Sequence, residues 1–293
     1  MRFTKLHGLG NDYVYVDGFS QTVADPSGIA EAISDRHFGI GSDGLILVLP
    51  PSDGVDASAR MRMFNVDGTE GAMCGNGIRC VCKFVRDHGL GANPSAKPMK
   101  IETKTGVLSL DYEVDGAGKV ATVSVDMGEP KIGPEAVGVT RKLLKFDEQR
   151  YEIPLRSGAS YAPSSVVHGV FVSMGNPHVV IFRDPLGDDD HLAYGPAVEH
   201  APFFSDRINV HFAEVLDTTH VRIKHWERGS GPTMACGTGA CATVVAGVLT
   251  GQLERKVTAE LPGGPLEVEW RGGDHRVRMT GPAVEVFSGE WAG

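Results

Sequence analysis

Short runs of alternating apolar and polar residues recur along this chain of 293 residues, and glycine, proline or asparagine bounds most of them. This alternation predicts β-strands, because successive side chains of a strand point to opposite faces of a sheet. Longer segments carry apolar residues at helical spacing and predict helices. They include IAEAISDRHF, IRCVCKFVRDHGL and ACATVVAGVLTGQL. The pattern as a whole predicts a mixed α/β (α+β) protein.

The strand and helix signals occur twice in the same order. GLGNDYVYVD and SMGNPHVVIFRD both indicate a turn followed by a strand rich in β-branched and aromatic residues. Four positions match between the halves, at separations of 165 or 162 residues: Asn11 with Asn176, Gly44 with Asn209, Asn65 with Glu227, and Cys74 with Cys236. We therefore predict two copies of one unit, each wrapping strands around a central helix that begins at its cysteine. The Gly/Pro-rich segment at residues 127–138 places the boundary close to Asp126.

Composition and charge narrow the class of function. The chain is 41% hydrophobic and 22% charged, which is typical of a soluble globular protein, and its net charge of −9 argues against nucleic acid as a partner. The N-terminus shows no apolar signal segment, so we expect a cytoplasmic protein. The uncharged stretch 229–253 is long enough to cross a bilayer, but its proline, glycines and threonines favour a buried segment of a soluble domain.

Nucleotide and metal sites are both disfavoured. GIGSDG at residues 39–44 matches the dinucleotide-binding pattern, but that motif needs a strand before the glycines and a helix after them. Here the predicted order is helix and then strand. The five cysteines lack the spacing of metal ligands, so we expect no metal and free thiols in a reducing compartment. Cys80, Cys82 and Cys241 are interpreted as small buried hydrophobes.

Cys74 and Cys236 differ from the other cysteines because each precedes Gly-x-Gly and a predicted helix. The helix dipole and the free N–H groups favour a thiolate, so we expect a lowered pKa for both thiols. The glycines at 75, 77, 237 and 239 would let the backbone approach a ligand, and the N–H groups suit a carboxylate. We expect the helix starts to face each other across an interdomain cleft. Two thiols flanking one carbon would invert it, one removing a proton while the other delivers one.

Polar residues at and near the matched positions fit an amino-acid substrate. Glu227 with Arg228 complements an ammonium and a carboxylate. The two residues of a matched pair can differ, since Asn65 corresponds to Glu227. This difference predicts a substrate of which one end reacts and the other end is only bound. His178 either supports a cysteine or the substrate ammonium, or has a structural role. Four amides can donate and accept hydrogen bonds: Asn11, Asn76, Asn176 and Asn209.

Seven segments together resemble diaminopimelate epimerases, which interconvert LL- and meso-diaminopimelate without a cofactor: HGLGNDYVYVD, NVDGTEGAMCGNGIRC, SMGNPHVVIF, INVHF, ERGSGPTMACGTGACA, ELPGGPLEVEW and MTGPAV. The resemblance runs from Met1 to about Phe287. It implies two pseudo-symmetric domains, each a mixed, largely antiparallel sheet wrapped around a central helix. The domains would comprise residues 1–126 with 282–293, and residues 127–281. It also implies a homodimer and a place in lysine and peptidoglycan precursor biosynthesis.

The resemblance implies roles for individual residues. Cys74 and Cys236 would be the acid/base pair, with His178 and Glu227 supporting catalysis. Some members carry Gln where this chain has Gly44, which removes a side-chain contact, and some carry a dimer-contact Tyr where it has Phe287. The substrate-binding positions would be Asn11, Asn65, Gly75, Asn76, Asn176, Asn209, Glu227, Arg228, Gly237 and Thr238.

Other functions fit parts of the pattern. Proline racemases and phenazine-pathway isomerases share the implied architecture, but a proline racemase would have little use for Glu227 and Arg228, and a carboxylate base would replace a cysteine. A thiol redox protein would cycle a dithiol during turnover. A non-catalytic amino-acid binder would show no proton exchange. The residues leave open which sulfur is deprotonated at rest.

Overall fold

The computed structural model describes residues 1–155 and 166–292, which form two compact units. The first unit is Met1–Asp126 with Thr280–Gly293, and the second is Met127–Met279. The chain therefore returns to the first unit two residues before the expected position 282. Residues 156–165 of the expected second domain lie outside the described residues. Both units contain strands and helices, so the predicted mixed α/β class is confirmed.

The first unit contains the elements β1 (Arg2–Gly8), β2 (Asn11–Asp17), α1 (Pro26–Ser34), β3 (Gly44–Leu49), β4 (Ala59–Asn65), β5 (Glu70–Gly71), α2 (Gly75–His88), β6 (Met99–Thr103), β7 (Gly106–Val114) and β8 (Val120–Asp126). β1 and β2 are antiparallel, β2 and β3 parallel, and β3 and β4 antiparallel. β4 then pairs with β6 in parallel, and β6, β7 and β8 are antiparallel.

The second unit contains β9 (Lys131–Ile132), a 3-10 turn (Pro134–Val137), β10 (Tyr151–Pro154), β11 (Val166–Ser173), β12 (Pro177–Phe182), α3 (Asp190–Glu199), β13 (Asn209–Asp217), β14 (His220–Glu227), β15 (Gly231–Thr233), α4 (Gly237–Leu249), β16 (Lys256–Leu261) and β17 (Gly264–Trp270). Strand β18 (Val277–Pro282) spans the return to the first unit, where β19 (Val284–Glu290) pairs with β1.

The second unit repeats the strand pairings of the first. β11 and β12 are antiparallel, β12 and β13 parallel, and β13 and β14 antiparallel. β14 then pairs with β16 in parallel, and β16 with β17 in the antiparallel sense. Helix α3 stands between β12 and β13, as α1 stands between β2 and β3. The repeat predicted from spacing is thus confirmed element by element.

The two faces of each sheet pack against different helices. In the first unit, Val14, Leu45 and Phe64 form a buried cluster with Ile33 of α1. In the second unit, the corresponding cluster joins Val210 and other residues of β12 and β13 to α3. The other sheet face meets α2 or α4, the helices that carry the cysteines.

The cysteine helices begin where the sequence predicts. Cys74 is the N-cap of α2, which ends at Gly89 in the left-handed conformation (φ 67°) that favours glycine. Cys236 is the N-cap of α4. Small residues on all sides of α4 allow strands to approach closely, and the helix is buried from Gly239 to Gly247.

Two further sequence predictions concern segments outside the sheets. GIGSDG lies between α1 and the start of β3, so the order is helix and then strand, as predicted. The stretch 229–253 contains β15 and α4. No helix in the described ranges is both long and apolar enough to cross a membrane.

Candidate active site

In the first unit, Asn11 contacts the sulfur of Cys74. Cys74 is half-buried, and its Sγ lies 3.3 Å from Asn11 Oδ1 and 3.3 Å from the backbone N of Gly77. The Asn11 Nδ2 group donates to Asp43 Oδ2 at 2.7 Å. Asp43 thereby turns the amide so that its oxygen faces the sulfur. The thiol can donate to Asn11, while the N–H group of the first helical turn supports a thiolate.

A small ion-pair network holds Asp43. Arg36 Nη2 lies 2.8 Å from Asp12 Oδ1 and 2.9 Å from Asp43 Oδ1, and Lys5 Nζ lies 2.7 Å from Asp12. Burial opposes the charge of Asp12, but hydrogen bonds from Arg36 and Lys5 outweigh it and lower the pKa of Asp12. Burial and the charge of Asp12 raise the pKa of Asp43. The Asn11 orientation therefore depends on charges at the start of β2 and immediately before β3.

Aromatic hydroxyls line the region between the sheet and the start of α2. Burial, followed by the neighbouring Cys74 and Asp43, raises the pKa of Tyr13 well above its usual value. Tyr15 Oη donates to the carbonyl of Gly77 at 3.2 Å. Both phenols stay neutral, so Cys74 has polar but uncharged neighbours on this side.

Gly44 occupies a backbone position that excludes a side chain. Its φ is +146°, and a Cβ placed there would lie 2.0 Å from the carbonyl oxygen of Phe64. The Gln found in some relatives therefore does not fit this backbone. Gly44 pairs with Asn65 across β3 and β4, and the Asn65 Nδ2 group donates to Thr69 Oγ1 at 3.0 Å. Asn76 is buried in the first turn of α2.

In the second unit, the structure corrects the expectation of a lowered pKa for Cys236. This thiol is only 4% exposed. Burial, together with the charge and a hydrogen bond of Glu227, raises its pKa well above the usual value, despite hydrogen bonds from Thr238 and the Gly239 backbone. Desolvation and a neighbouring carboxylate outweigh the helix terminus here. Cys236 is therefore a neutral thiol near pH 7.

The polar residues around Cys236 hold one another in place. Thr233 Oγ1 donates to Glu227 Oε1 at the end of β14. The Arg228 guanidinium pairs with the Asp206 carboxylate and donates to the Asp206 carbonyl at 2.9 Å. Asn209 is buried, donates to the Pro177 carbonyl at 2.8 Å and accepts from the Arg228 backbone at 3.0 Å. Asn209 thus joins β12 to the end of β14.

His178 is linked to Cys236 through Asn176 and Thr238. His178 Nε2 lies 2.8 Å from Asn176 Oδ1, and Asn176 Nδ2 lies 3.3 Å from Thr238 Oγ1. Thr238 Oγ1 is 3.7 Å from Cys236 Sγ. Burial lowers the pKa of His178 to about 3, so the ring is neutral. Four residues predicted from the sequence therefore form one connected group.

Two further histidines continue this group and were not predicted. His178 Nδ1 lies 2.8 Å from His211 Nε2, and His211 Nδ1 lies 2.9 Å from His225 Nδ1. The positions of His211 and His225 could have been found from their spacing in the sequence. His211 stands two residues after Asn209 and His225 two residues before Glu227, and this spacing puts each on the same sheet face as its predicted neighbour.

The second glycine of each cysteine motif serves packing, which corrects the expectation that it opens the backbone to a ligand. A Cβ on Gly239 would lie 2.2 Å from His211 Cε1, and a Cβ on Gly77 would lie 2.9 Å from Ile46 Cδ1. Both glycines let a helix rest directly on its sheet. Gly75 and Gly237 are the first residues of α2 and α4.

The chain matches proteins of known family along nearly its whole length. The family model for diaminopimelate epimerase matches residues 3–133 and 170–286. A diaminopimelate epimerase from Acetivibrio thermocellus is 48% identical over 290 residues, covering 99% of this chain and 98% of that protein. Those from Desulfovibrio desulfuricans and Methanococcus maripaludis are 48% and 45% identical, and each alignment covers 99% of this chain and 98% or 99% of the relative.

Solved structures with low sequence identity share the fold. A probable proline racemase from Agrobacterium radiobacter superposes with a TM-score of 0.69 at 14% identity, covering 99% of this chain and 92% of that one. A predicted epimerase from Pseudomonas aeruginosa gives 0.68 at 16% identity, covering 100% and 99%. The resemblance found in the sequence motifs is confirmed, and the chain belongs to the diaminopimelate epimerase family.

Proposed function

We propose that this protein interconverts LL- and meso-2,6-diaminopimelate by inverting one α-carbon without a cofactor, in lysine and peptidoglycan precursor biosynthesis. The observation that carries the proposal is the repeat itself. Each unit begins its central helix at a cysteine, and an asparagine at or just before the start of a strand lies near that helix start: Asn11 contacts Cys74, and Asn176 contacts Thr238, two residues after Cys236. Membership of the family supplies the substrate.

The reaction needs two acid/base groups because a proton leaves one face of the carbon and another arrives on the opposite face. In this proposal a thiolate takes the α-proton while the other thiol donates one, and the reverse reaction exchanges the roles. Cys236 keeps its proton near neutral pH, so it is the donor in the direction that starts from the resting protein. Cys74 is then the base. The forward reaction leaves Cys236 as the thiolate and Cys74 protonated, and the reverse reaction starts from that pair; the Glu227 carboxylate beside Cys236 favours the protonated form of its thiol.

Developing negative charge on the reacting carboxylate requires stabilisation. The N–H groups of Gly75 and Asn76 lie in the first turn of α2, and those of Gly237 and Thr238 lie in the first turn of α4, where backbone N–H groups point out along the helix axis. Such donors aimed at a developing oxyanion contribute about 3 kcal/mol each in a dry site. A helix N-terminus of this kind is therefore suited to bind the reacting carboxylate and to lower the barrier to proton removal.

Unequal residues at matched positions fit a substrate with two unlike ends. Asn65 of the first unit corresponds to Glu227 of the second, and only the second has an adjacent Arg228. We assign the distal ammonium and carboxylate to these polar groups, together with Asn11, Asn176 and Asn209. This arrangement distinguishes diaminopimelate from amino acids with a single polar end.

Deuterium uptake tests the proposal. The protein is incubated with LL-diaminopimelate in heavy water without pyridoxal phosphate, and deuterium at the α-carbon is followed together with formation of the meso isomer. We expect label in every product molecule, because the incoming proton comes from a thiol that exchanges with solvent. Inversion without label, or inversion that depends on added pyridoxal phosphate, would contradict the two-thiol chemistry.

We also propose a cytoplasmic homodimer. The five cysteines are free thiols, which suits a reducing compartment. Strand β19 exposes Val286 (53%) and Phe287 (46%), an apolar surface of the kind found at interfaces between subunits. Sedimentation equilibrium of the wild type and of Phe287→Asp tests this assembly. A monomeric wild-type protein would contradict it.

A further inference from the structure

Three neutral histidines form a continuous hydrogen-bonded chain on one sheet face of the second unit. His178, His211 and His225 come from the neighbouring strands β12, β13 and β14, and all three are at most 1% exposed. Their ring nitrogens are 2.8 and 2.9 Å apart. The chain ends at Asn176, which joins it to Thr238 and Cys236. We call these residues the histidine chain.

Only two proton arrangements satisfy the contacts between neutral rings, because each ring has one donor and one acceptor. In the first, every ring donates toward Asn176. In the second, every ring donates away from it, and the Nε2–H group of His225 would be a buried donor. Among the described residues, His225 Nε2 has no hydrogen-bond partner. A buried N–H group without a partner is less tolerable than a buried acceptor without one, so the first arrangement is favoured.

The first arrangement fixes the remaining links. His225 Nδ1–H donates to His211, His211 Nε2–H donates to His178, and His178 Nε2–H donates to Asn176 Oδ1. The Asn176 Nδ2 group then donates to Thr238 Oγ1 at 3.3 Å. Since that oxygen accepts from Asn176, its own proton points elsewhere, and Cys236 Sγ lies 3.7 Å away.

We propose that His211 and His225 are positioning residues for proton transfer at Cys236. They fix the Nε2–H tautomer of His178, which orients Asn176 so that Thr238 donates its hydroxyl proton to the Cys236 sulfur. A donor at this place stabilises the Cys236 thiolate as it forms. Burial keeps all three rings neutral, with pKa values about 3 for His178 and His225 and a strongly lowered value for His211.

The tautomers can be read directly by NMR. Two-bond 1H–15N correlation spectra of protein labelled with 15N-histidine assign the protonated nitrogen of each neutral ring. We expect Nε2–H for His178 and His211 and Nδ1–H for His225 at pH 7. A protonated Nδ1 on His178 or His211, or an imidazolium at any of the three positions, would overturn the proposal. This measurement needs no substrate.

Substitution of His225 tests the consequence for the reaction, which rests on the proposed function. His225→Phe removes the donor to His211, and we expect kcat for α-proton exchange to fall about tenfold while KM changes less than about twofold. In His225→Asn the amide nitrogen lies near the former Nδ1 and donates in its place. We expect this variant to recover most of the lost rate and to retain the Nε2–H signature of His178.

His220, which is half-buried at the start of the same strand, supplies the control. His220→Asn is expected to leave kcat and the tautomers unchanged, since His220 contacts Asp217 and Thr219 away from the chain. Equal losses in His225→Phe and His225→Asn, or no loss in either, would contradict the positioning role. If His225→Phe does not fold, the tautomers of the wild type and the kcat of His225→Asn still test the proposal. The expected tautomers in a protein without α-proton exchange would contradict the proposed function alone.

Discussion

The two sheet faces that support the cysteine helices have the same backbone arrangement but different chemistry. Ile46 pairs with Met63 in the first unit, and at the matched positions His211 pairs with His225 in the second. Tyr13 likewise matches His178. The first unit therefore supports its cysteine helix largely with aliphatic side chains and phenols, whereas the second uses a buried chain of imidazoles.

This difference bears on the proposed two-thiol reaction, in which the acid and the base must be in different protonation states. An exact repeat would give both thiols the same environment. Here Cys236 is buried beside Glu227 and keeps its proton, while Cys74 is half-buried and receives an N–H hydrogen bond from Gly77. The repeat thus retains the positions of the sulfurs, and substitutions around them create the asymmetry.

Each of the two N-cap sulfurs should be essential for epimerisation. We expect Cys74→Ala and Cys236→Ala each to lower epimerisation by about 10²-fold to 10⁴-fold, because in the proposed reaction each thiol serves one face of the α-carbon. Isomer formation and α-deuterium uptake from LL-diaminopimelate measure the loss. Cys241→Ala is the matched control, since this buried cysteine lies within α4 and not at its start. A nearly normal rate in either N-cap variant would contradict the assignment.

Mild acid should destabilise the second unit through its histidines. Their folded pKa values lie below the ordinary 6.5, so the unfolded chain binds more protons between pH 6.5 and about 3, and stability falls as pH falls through that window. We expect a loss of about 2 kcal/mol or less per ring from pH 7 to pH 5. Urea unfolding at both pH values measures it.

The acid effect has its own control. His225→Asn removes one titrating ring and should reduce the loss of stability between pH 7 and pH 5, while His220→Asn should not. His191, whose pKa burial also lowers, contributes in the same direction in every variant. Equal unfolding free energies of the wild type at the two pH values would show that the rings are not buried in neutral form.

Matched glycine substitutions should show how closely each helix rests on its sheet. Gly239→Ala places a methyl group 2.2 Å from the His211 ring, and we expect a cost of about 2 kcal/mol. Gly77→Ala places one 2.9 Å from Ile46 Cδ1, the end of a flexible side chain, and alanine favours the helix by about 1 kcal/mol. The urea midpoint of Gly77→Ala should therefore change much less. Equal effects would contradict the distinction between the two layers.

The smallest expected effect concerns the titration of Cys236. Glu227→Gln removes the carboxylate charge that opposes the thiolate, so the pKa of Cys236 should fall. The absorbance of the Cys236 thiolate is measured as the difference between Cys74→Ala and Cys74→Ala/Cys236→Ala proteins, each with and without Glu227→Gln. This subtraction removes the signal of the three other buried thiols, of which Cys80 and Cys82 have pKa values raised by burial to about 11 and about 12. Glu214→Gln, whose carboxylate pairs with Arg222, should leave the titration unchanged. An unchanged titration in Glu227→Gln would mean that burial alone sets the pKa.

The order of the elements can be predicted from the sequence because the same strand and helix signals occur in both halves. A signal that is weak in one half is therefore supported by the matching segment of the other half. The starts of α2 and α4 at Cys74 and Cys236 are local properties of Cys-Gly-x-Gly and are also predictable. The sequence pattern does not predict helix α3, although α3 is the counterpart of α1 in the repeat. Pro196 lies inside this helix, and its apolar and polar residues do not separate onto two faces, so the helical pattern is hidden.

Properties that depend on burial could not be predicted from local pattern. The prediction of a low pKa for Cys236 was wrong because the strands and the helix packed around the thiol remove it from water. A short sequence motif does not describe that packing. His211 and His225 carry a period-two signal, but their mutual contact depends on the register between β13 and β14. The packing role of Gly239 depends in turn on His211.

Gly44 has a consequence for how members of this family diverge. Its backbone admits no Cβ unless the carbonyl of Phe64 on the paired strand moves. A lineage with Gly44 therefore cannot acquire the glutamine of some relatives by one tolerated substitution, since the neighbouring strand must first change its path. Sequence differences around residues 64–65 should accompany any glutamine at this place, as compensating partners in evolution.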